Sequence, residues 1–157
     1  MTFYTAEGAA DYLNVNSWRW ALMGWIGVIF LSSTTIAGQW ADRSFDYLLT
    51  LIFQNSALPE LWYDAIYMLA EKSLHVVLFM SLAVLLWKAV PGHSWKAPII
   101  LVGGAVIGSS SELIQCFFRG RDPGLGDVAI NVGGTVLGLI VVKALRRNAN
   151  HRFVGVD

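Results

Sequence analysis

The sequence predicts an all-α, polytopic membrane protein with four transmembrane helices and one short helix lying in the membrane interface. Three observations lead there. Hydrophobic residues make up 55% of the 157 residues and charged residues only 14%, where a soluble domain is about 25% charged. The mean hydropathy is +0.54. The apolar residues also fall into stretches of membrane length, with the charges gathered between them.

The balance of charge excludes some functions. Eleven Lys and Arg stand against eleven Asp and Glu, which leaves no basic face for nucleic acid. A single cysteine, Cys116, excludes an intramolecular disulfide and a CxxC metal motif. Its apolar neighbourhood predicts an inert, packed thiol. The length is that of one domain, residues 1–157.

Taken in order, residues 1–17 read as a polar tail with a surface helix at Ala6–Leu13. Glu7, Asp11 and the lack of Lys or Arg there argue against a cleaved signal peptide. Residues 20–41 contain no Asp, Glu, Lys or Arg and suffice for a first span of about 30 Å. Trp18, Trp20 and Trp40 sit where interfacial aromatic belts fall. Asp42–Asp46 is a charged connector. Phe45, Leu48, Leu49, Ile52 and Phe53 then recur at helical spacing and predict the interfacial helix.

Pro59 favours a first helical turn and opens the second span, about 61–89, which Pro91-Gly92 ends. The third span is expected at 97–118 and the fourth at 127–146, with Lys143, Arg146 and Arg147 at its end. Residues 148–157 read as a polar tail. Four spans put both termini on one side. Seven cations (Arg19, Lys88, Lys96, Lys143, Arg146, Arg147 and Arg152) lie there, against Arg43, Lys72, Arg119 and Arg121 opposite. The positive-inside rule then predicts cytoplasmic termini in a bacterial inner membrane.

Polar residues collect at the other rim. Glu71 and His75, and Asp127 and Asn131, are each four apart; Glu112 and Gln115 are three apart. Each pair therefore projects from one side of its helix. Gly104, Gly108, Ser111 and Glu112 continue one stripe, and Asn131, Gly134 and Gly138 another. Packing along these two GxxxG stripes is expected to bring Glu112, Gln115, Asp127 and Asn131 together. Lys72, Arg119 and Arg121 are the cations available to the carboxylates. Such a cluster is either a polar knot closing the bundle or a ligand site.

These residues resemble the VanZ-like family. Glu112-x-x-Gln115, then Arg121, Asp127, Asn131, Gly134 and Gly138, is similar in order and spacing to that family's E-x-x-Q…R…D-x-x-x-N-x-x-G-x-x-x-G pattern. Glu71-Lys72-x-x-His75 resembles its D-K-x-x-H motif, with Glu for Asp, Val76 where an aromatic is common, and Arg119 near a usual Pro. The resemblance covers about residues 60–140 and implies a small multi-helix membrane protein. Its founding member confers resistance to teicoplanin, a glycopeptide acting outside the cell.

Two functions are expected to compete. The first is binding of an anionic envelope lipid or lipid-linked precursor by Lys72, His75, Glu112, Gln115, Arg119, Arg121, Asp127 and Asn131. In it the Arg residues take phosphate by bidentate bonds, and His75 can hold or move a proton. Glu112 and Asp127 orient it or hold a divalent cation. The second is a non-catalytic accessory subunit of a larger membrane complex, as the chain has short loops and no soluble domain. Transport ranks third, because charges at one rim outline no pathway. A pigment or haem at His75 is disfavoured beside hydrogen bonding. The pattern names no cofactor, shows no complete nucleophile–base arrangement, and leaves open whether a reaction is catalysed.

Overall fold

The computed structural model describes residues 6–53, 60–92, 94–118 and 123–153, with side-chain surroundings for 16–52, 62–92, 94–118 and 123–147. These residues form five α-helices and no strand: α1 (Ala6–Ser32), α2 (Thr35–Phe53), α3 (Glu60–Ala89), α4 (Lys96–Gln115) and α5 (Leu125–Phe153). By length and composition α3, α4 and α5 each suffice to cross a membrane; α1 and α2 do so only as a bent pair. The protein therefore has three to four candidate spans, as a polytopic all-α membrane protein should.

Helix α3 is the axis. It packs on α1, α4 and α5 and supplies Leu78, Phe79, Leu82, Ala83 and Leu86 to a core completed by Ile29, Ile100 and Leu139. The outer faces stay apolar: Val102, Val106, Leu113 and Ile140 are all exposed. Bare apolar area on that scale suits hydrocarbon as solvent, not water.

The expected uninterrupted helix over 20–41 is broken. The chain turns by 77° between Asn16–Ser32 and Thr35–Ile52. The cause is the run Ser32-Ser33-Thr34. Ser32 Oγ and Ser33 Oγ both donate to the Ile29 carbonyl, at 2.7 and 3.1 Å, and Thr34 Oγ1 donates to that of Leu31 at 2.7 Å. Hydroxyls that bond carbonyls of their own helix bend or stop it. Thr34 then caps α2, its Oγ1 accepting the Ala37 N–H at 3.4 Å. The anticipated interfacial helix is thus longer than expected and starts at Thr35. The predicted short helix at 6–13 is instead the first part of α1. Helix α5 continues to Phe153, through part of the predicted tail.

The glycine stripes are also used differently. A Cβ on Gly104 would stand 2.5 Å from Thr135 Oγ1, and one on Gly108 3.0 Å from Asn131 Cβ. The stripe of α4 therefore packs on α5. A Cβ on Gly134 would meet the Val76 carbonyl at 2.8 Å, and one on Gly138 that of Met80 at 2.5 Å. Gly134 and Gly138 of α5 therefore face α3, not α4. Asn131 and Thr135 are what α5 turns to α4.

Candidate functional site

Alternating helix directions bring the N-terminal half of α3, the C-terminal end of α4 and the first turns of α5 to one rim of the bundle. The turn after α1 reaches it too: Ser33, 1% exposed, lies 3.3 Å from Ser111 on α4 through their hydroxyl oxygens. The buried residues of α4 run Ile100, Gly104, Gly108, Ser111, Glu112, Gln115. The stripe turns from apolar to small to polar as it rises.

Three contacts tie this rim together. Lys72 Nζ donates to Asp127 Oδ1 at 2.5 Å and lies 3.9 Å from Glu71. Asp127 is in the first turn of α5, where the helix dipole also favours a carboxylate. His75 Nδ1 and Asn131 Oδ1 are 2.9 Å apart. With an amide oxygen as acceptor, Nδ1 carries the proton, and Nε2 of a neutral ring is left as an acceptor. Glu112 Oε2 accepts the Gly124 N–H at 3.3 Å, which joins the end of α4 to the approach to α5.

The centre of the rim is under-satisfied. Glu112 is 5% exposed and Asn131 fully buried, yet Glu112 Oε1 and Asn131 Nδ2 have no hydrogen-bond partner among the described residues. Asp127, Lys72 and the Asn131 amide lie near enough to Glu112 to act on it. A buried acceptor beside a buried donor suits a group with both functions, a hydroxyl or a water.

Beside the rim, under α2, lies a cavity of about 180 Å³. Its walls are mainly apolar: Ala37, Gly38, Ala41 and Phe45 of α2, with Leu74 and Leu78 of α3. Its polar lining is Glu71, His75, Gln115, Tyr67 and Ser32. Helix α2 is held over it by Tyr63 and Tyr67, whose hydroxyls donate to Asp46 and Asp42. The Phe45 ring meets both tyrosines edge-on, at centroid distances of 5.9 and 5.1 Å.

The VanZ/LLP1 family model matches residues 18–146, which is most of the chain and includes both polar motifs. This protein belongs to the VanZ family. No curated protein and no solved structure matches it.

In this VanZ-family chain, six of the eight residues expected at the site lie in described segments: Lys72, His75, Glu112, Gln115, Asp127 and Asn131. The structure brings them to one rim. Arg119 and Arg121 lie outside the described residues. Lys72 is not a free cation, because Asp127 already engages it. Among the described residues no three His, Cys, Asp or Glu side chains are grouped as metal ligands. Cys116 is exposed, not packed as expected, with Sγ 3.7 Å from the Glu112 carbonyl. Residue 116 has left the buried stripe that ends at Gln115.

Sequence reasoning missed the wall supplied by α2. A signal was present: Asp42 and Asp46 are four apart, as are Tyr63 and Tyr67. Two hydroxyls facing two carboxylates at the same helical interval is a pairing pattern.

Proposed function

We propose that this VanZ-family protein binds an anionic envelope lipid or a lipid-linked precursor, with its headgroup at the rim and part of its apolar chain under α2. The observation that carries this reading is the continuity of the two environments. His75 belongs to the polar network and, with Gln115, lines the apolar cavity. An amphipathic ligand needs that junction.

Size limits what enters. A cavity of about 150 Å³ admits benzene, so this one takes a few methylenes or one isoprene unit, and the rest of the ligand stays in the bilayer. The headgroup meets mixed chemistry. Glu71, Gln115 and His75 Nε2 accept hydrogen bonds from hydroxyls, and cations take phosphate. Arg119 and Arg121, in the sequence between α4 and α5, are the cations left for it, because Lys72 is engaged by Asp127. A headgroup with both phosphate and hydroxyls satisfies both sets. The seven-to-four cation bias supports an outer-facing rim.

The test is retention of phosphatidylglycerol or polyprenyl phosphate by the purified protein, read by native mass spectrometry. Ala41→Phe fills the cavity from its apolar wall and replaces no polar residue; His75→Ala and Arg121→Ala act on the headgroup side. All three are expected to lower retention relative to wild type. Equal retention in all three removes the site. If a partner protein then co-purifies in gentle detergent, the accessory-subunit reading takes its place.

A further inference from the structure

The opposite end of the bundle gathers positive charge. Lys96 Nζ lies 4.8 Å from the centroid of the Trp87 ring, and Arg146 Cζ lies 5.6 Å from the same ring. Lys88 Nζ sits 5.5 Å from the Trp18 ring. These groups come from α3, α4, α5 and α1, so four helices converge there. Lys96 is within electrostatic reach of both Lys88 and Arg146. It is also the first residue of α4, where the helix dipole adds positive charge.

No acid among the described side chains answers them; Glu7, Asp11 and Asp157 lie outside those residues. The sequence has no Asp or Glu from residue 73 to 111, nor from 128 to 156. The ion pairs formed among the described residues both involve Lys72, at the far rim. A ring face attracts each cation by about 0.5–1 kcal/mol at exposed sites but does not neutralise it. Three cations held together by two indoles therefore leave a positive centre without a counter-ion among the described residues.

We infer that this centre binds the phosphate of an anionic membrane phospholipid, held by Lys96 and Arg146, the two cations that Trp87 gathers, with Lys88 as a third cation. Charge complementarity selects an anion. Position selects a lipid: Lys88 is near the end of α3, Lys96 starts α4, and Arg146 falls at the end of the span of α5, so all three lie at headgroup level. Exposed Trp95 and Leu145, 66% and 64%, provide apolar surface near that plane for acyl chains. The site is independent of the rim. His75 and Lys88 are thirteen residues apart on α3, about 20 Å at 1.5 Å per residue.

The test titrates full-length protein in neutral detergent with phosphatidylglycerol, phosphatidylcholine or inorganic phosphate, reading Trp fluorescence and lipid retained in native mass spectra. Wild type is expected to retain phosphatidylglycerol over phosphatidylcholine, and to lose it as salt rises. Lys96→Gln with Arg146→Gln should weaken phosphatidylglycerol binding by roughly tenfold or more. Lys143→Gln with Arg147→Gln removes the same charge nearby and should change it little. Lys96→Gln alone, expected to give an intermediate loss, serves if the double variant does not fold. Equal losses in the two double variants would mean diffuse attraction and overturn the site. So would equal binding of phosphatidylcholine, or displacement of the lipid by equimolar inorganic phosphate.

Discussion

His75 stands between two unlike walls. On one side α5 approaches α3 so closely that a Cβ at residue 138 would stand 2.5 Å from the Met80 carbonyl, and Asn131 bonds the imidazole at 2.9 Å. On the other side α2 reaches α3 through one phenylalanine edge and two tyrosine hydroxyls, and a cavity of about 180 Å³ remains between them. The first wall has no slack, so it can fix the direction of a polar side chain. The second is held by exposed contacts, which open at lower free energy than buried ones. One wall positions the chemistry; the other sets the space beside it.

The largest effect should come from breaking the close wall. Gly138→Leu forces a side chain into the Met80 carbonyl and Ala83 Cβ, the latter 2.7 Å away. Overpacking against backbone that cannot yield is expected to cost about 3 kcal/mol or more and to reduce the yield of monodisperse protein. Gly133→Leu is the matched control, because a Cβ there meets nothing within 4 Å. Thermal unfolding in detergent should separate them widely. Similar unfolding temperatures would mean that the α3–α5 approach is not tight.

The next test concerns the ion pair on that wall. Asp127→Asn removes the charge opposite Lys72 and leaves Glu71, at 3.9 Å, as its ion-pair partner among the described residues. The Lys72 and Asp127 side chains are 33% and 13% exposed, so solvent screens part of the attraction and the expected loss is about 1–2 kcal/mol. A double-mutant cycle with Lys72→Gln should show coupling of about 1 kcal/mol. Strict additivity would show that the pair contributes no stability.

Glu112 sharpens the distinction between stability and binding. Glu112→Gln keeps an oxygen for the Gly124 N–H and removes a buried charge, so stability should stay within about 1 kcal/mol of wild type or rise. Glu112→Ala leaves that N–H without its acceptor and opens a void, at a cost of about 2 kcal/mol. If the rim takes a hydroxyl-bearing headgroup, both variants should retain less lipid, although only Ala unfolds earlier. A large loss of stability in Gln would instead show that the carboxylate charge is itself structural.

The two walls were not equally legible in the sequence. Glu112 with Gln115, and Asp127 with Asn131, share faces because helical spacing alone fixes that, and the rim they form was expected. The partner of each glycine stripe was not legible. Spacing places Gly134 and Gly138 on one face, but which neighbour that face meets depends on the rotation of α5, a property of the whole bundle. The bend at Ser33 escaped for a different reason. Ser32, Ser33 and Thr34 carry no charge, so the window from 20 to 41 still reads as membrane-length, although hydroxyls bonding Ile29 and Leu31 interrupt the helix. The wall built by α2 follows from that bend and was hidden with it.

The smallest expected effect tests the looser wall directly. Tyr63→Phe with Tyr67→Phe removes both hydroxyl bonds to Asp46 and Asp42 but keeps the rings against Phe45. Hydrogen bonds at exposed carboxylates contribute little, so global stability should fall by less than about 1 kcal/mol. Amide exchange should nevertheless quicken across residues 35–53, while α3, α4 and α5 keep their protection. Adding Phe45→Ala should increase that difference, because it removes the ring contacts as well. Uniform loss of protection over all five helices would mean that α2 unfolds only with the bundle. Both walls of the His75 site would then be equally fixed, and the cavity would be a packing gap of constant size, not a space that a ligand can widen.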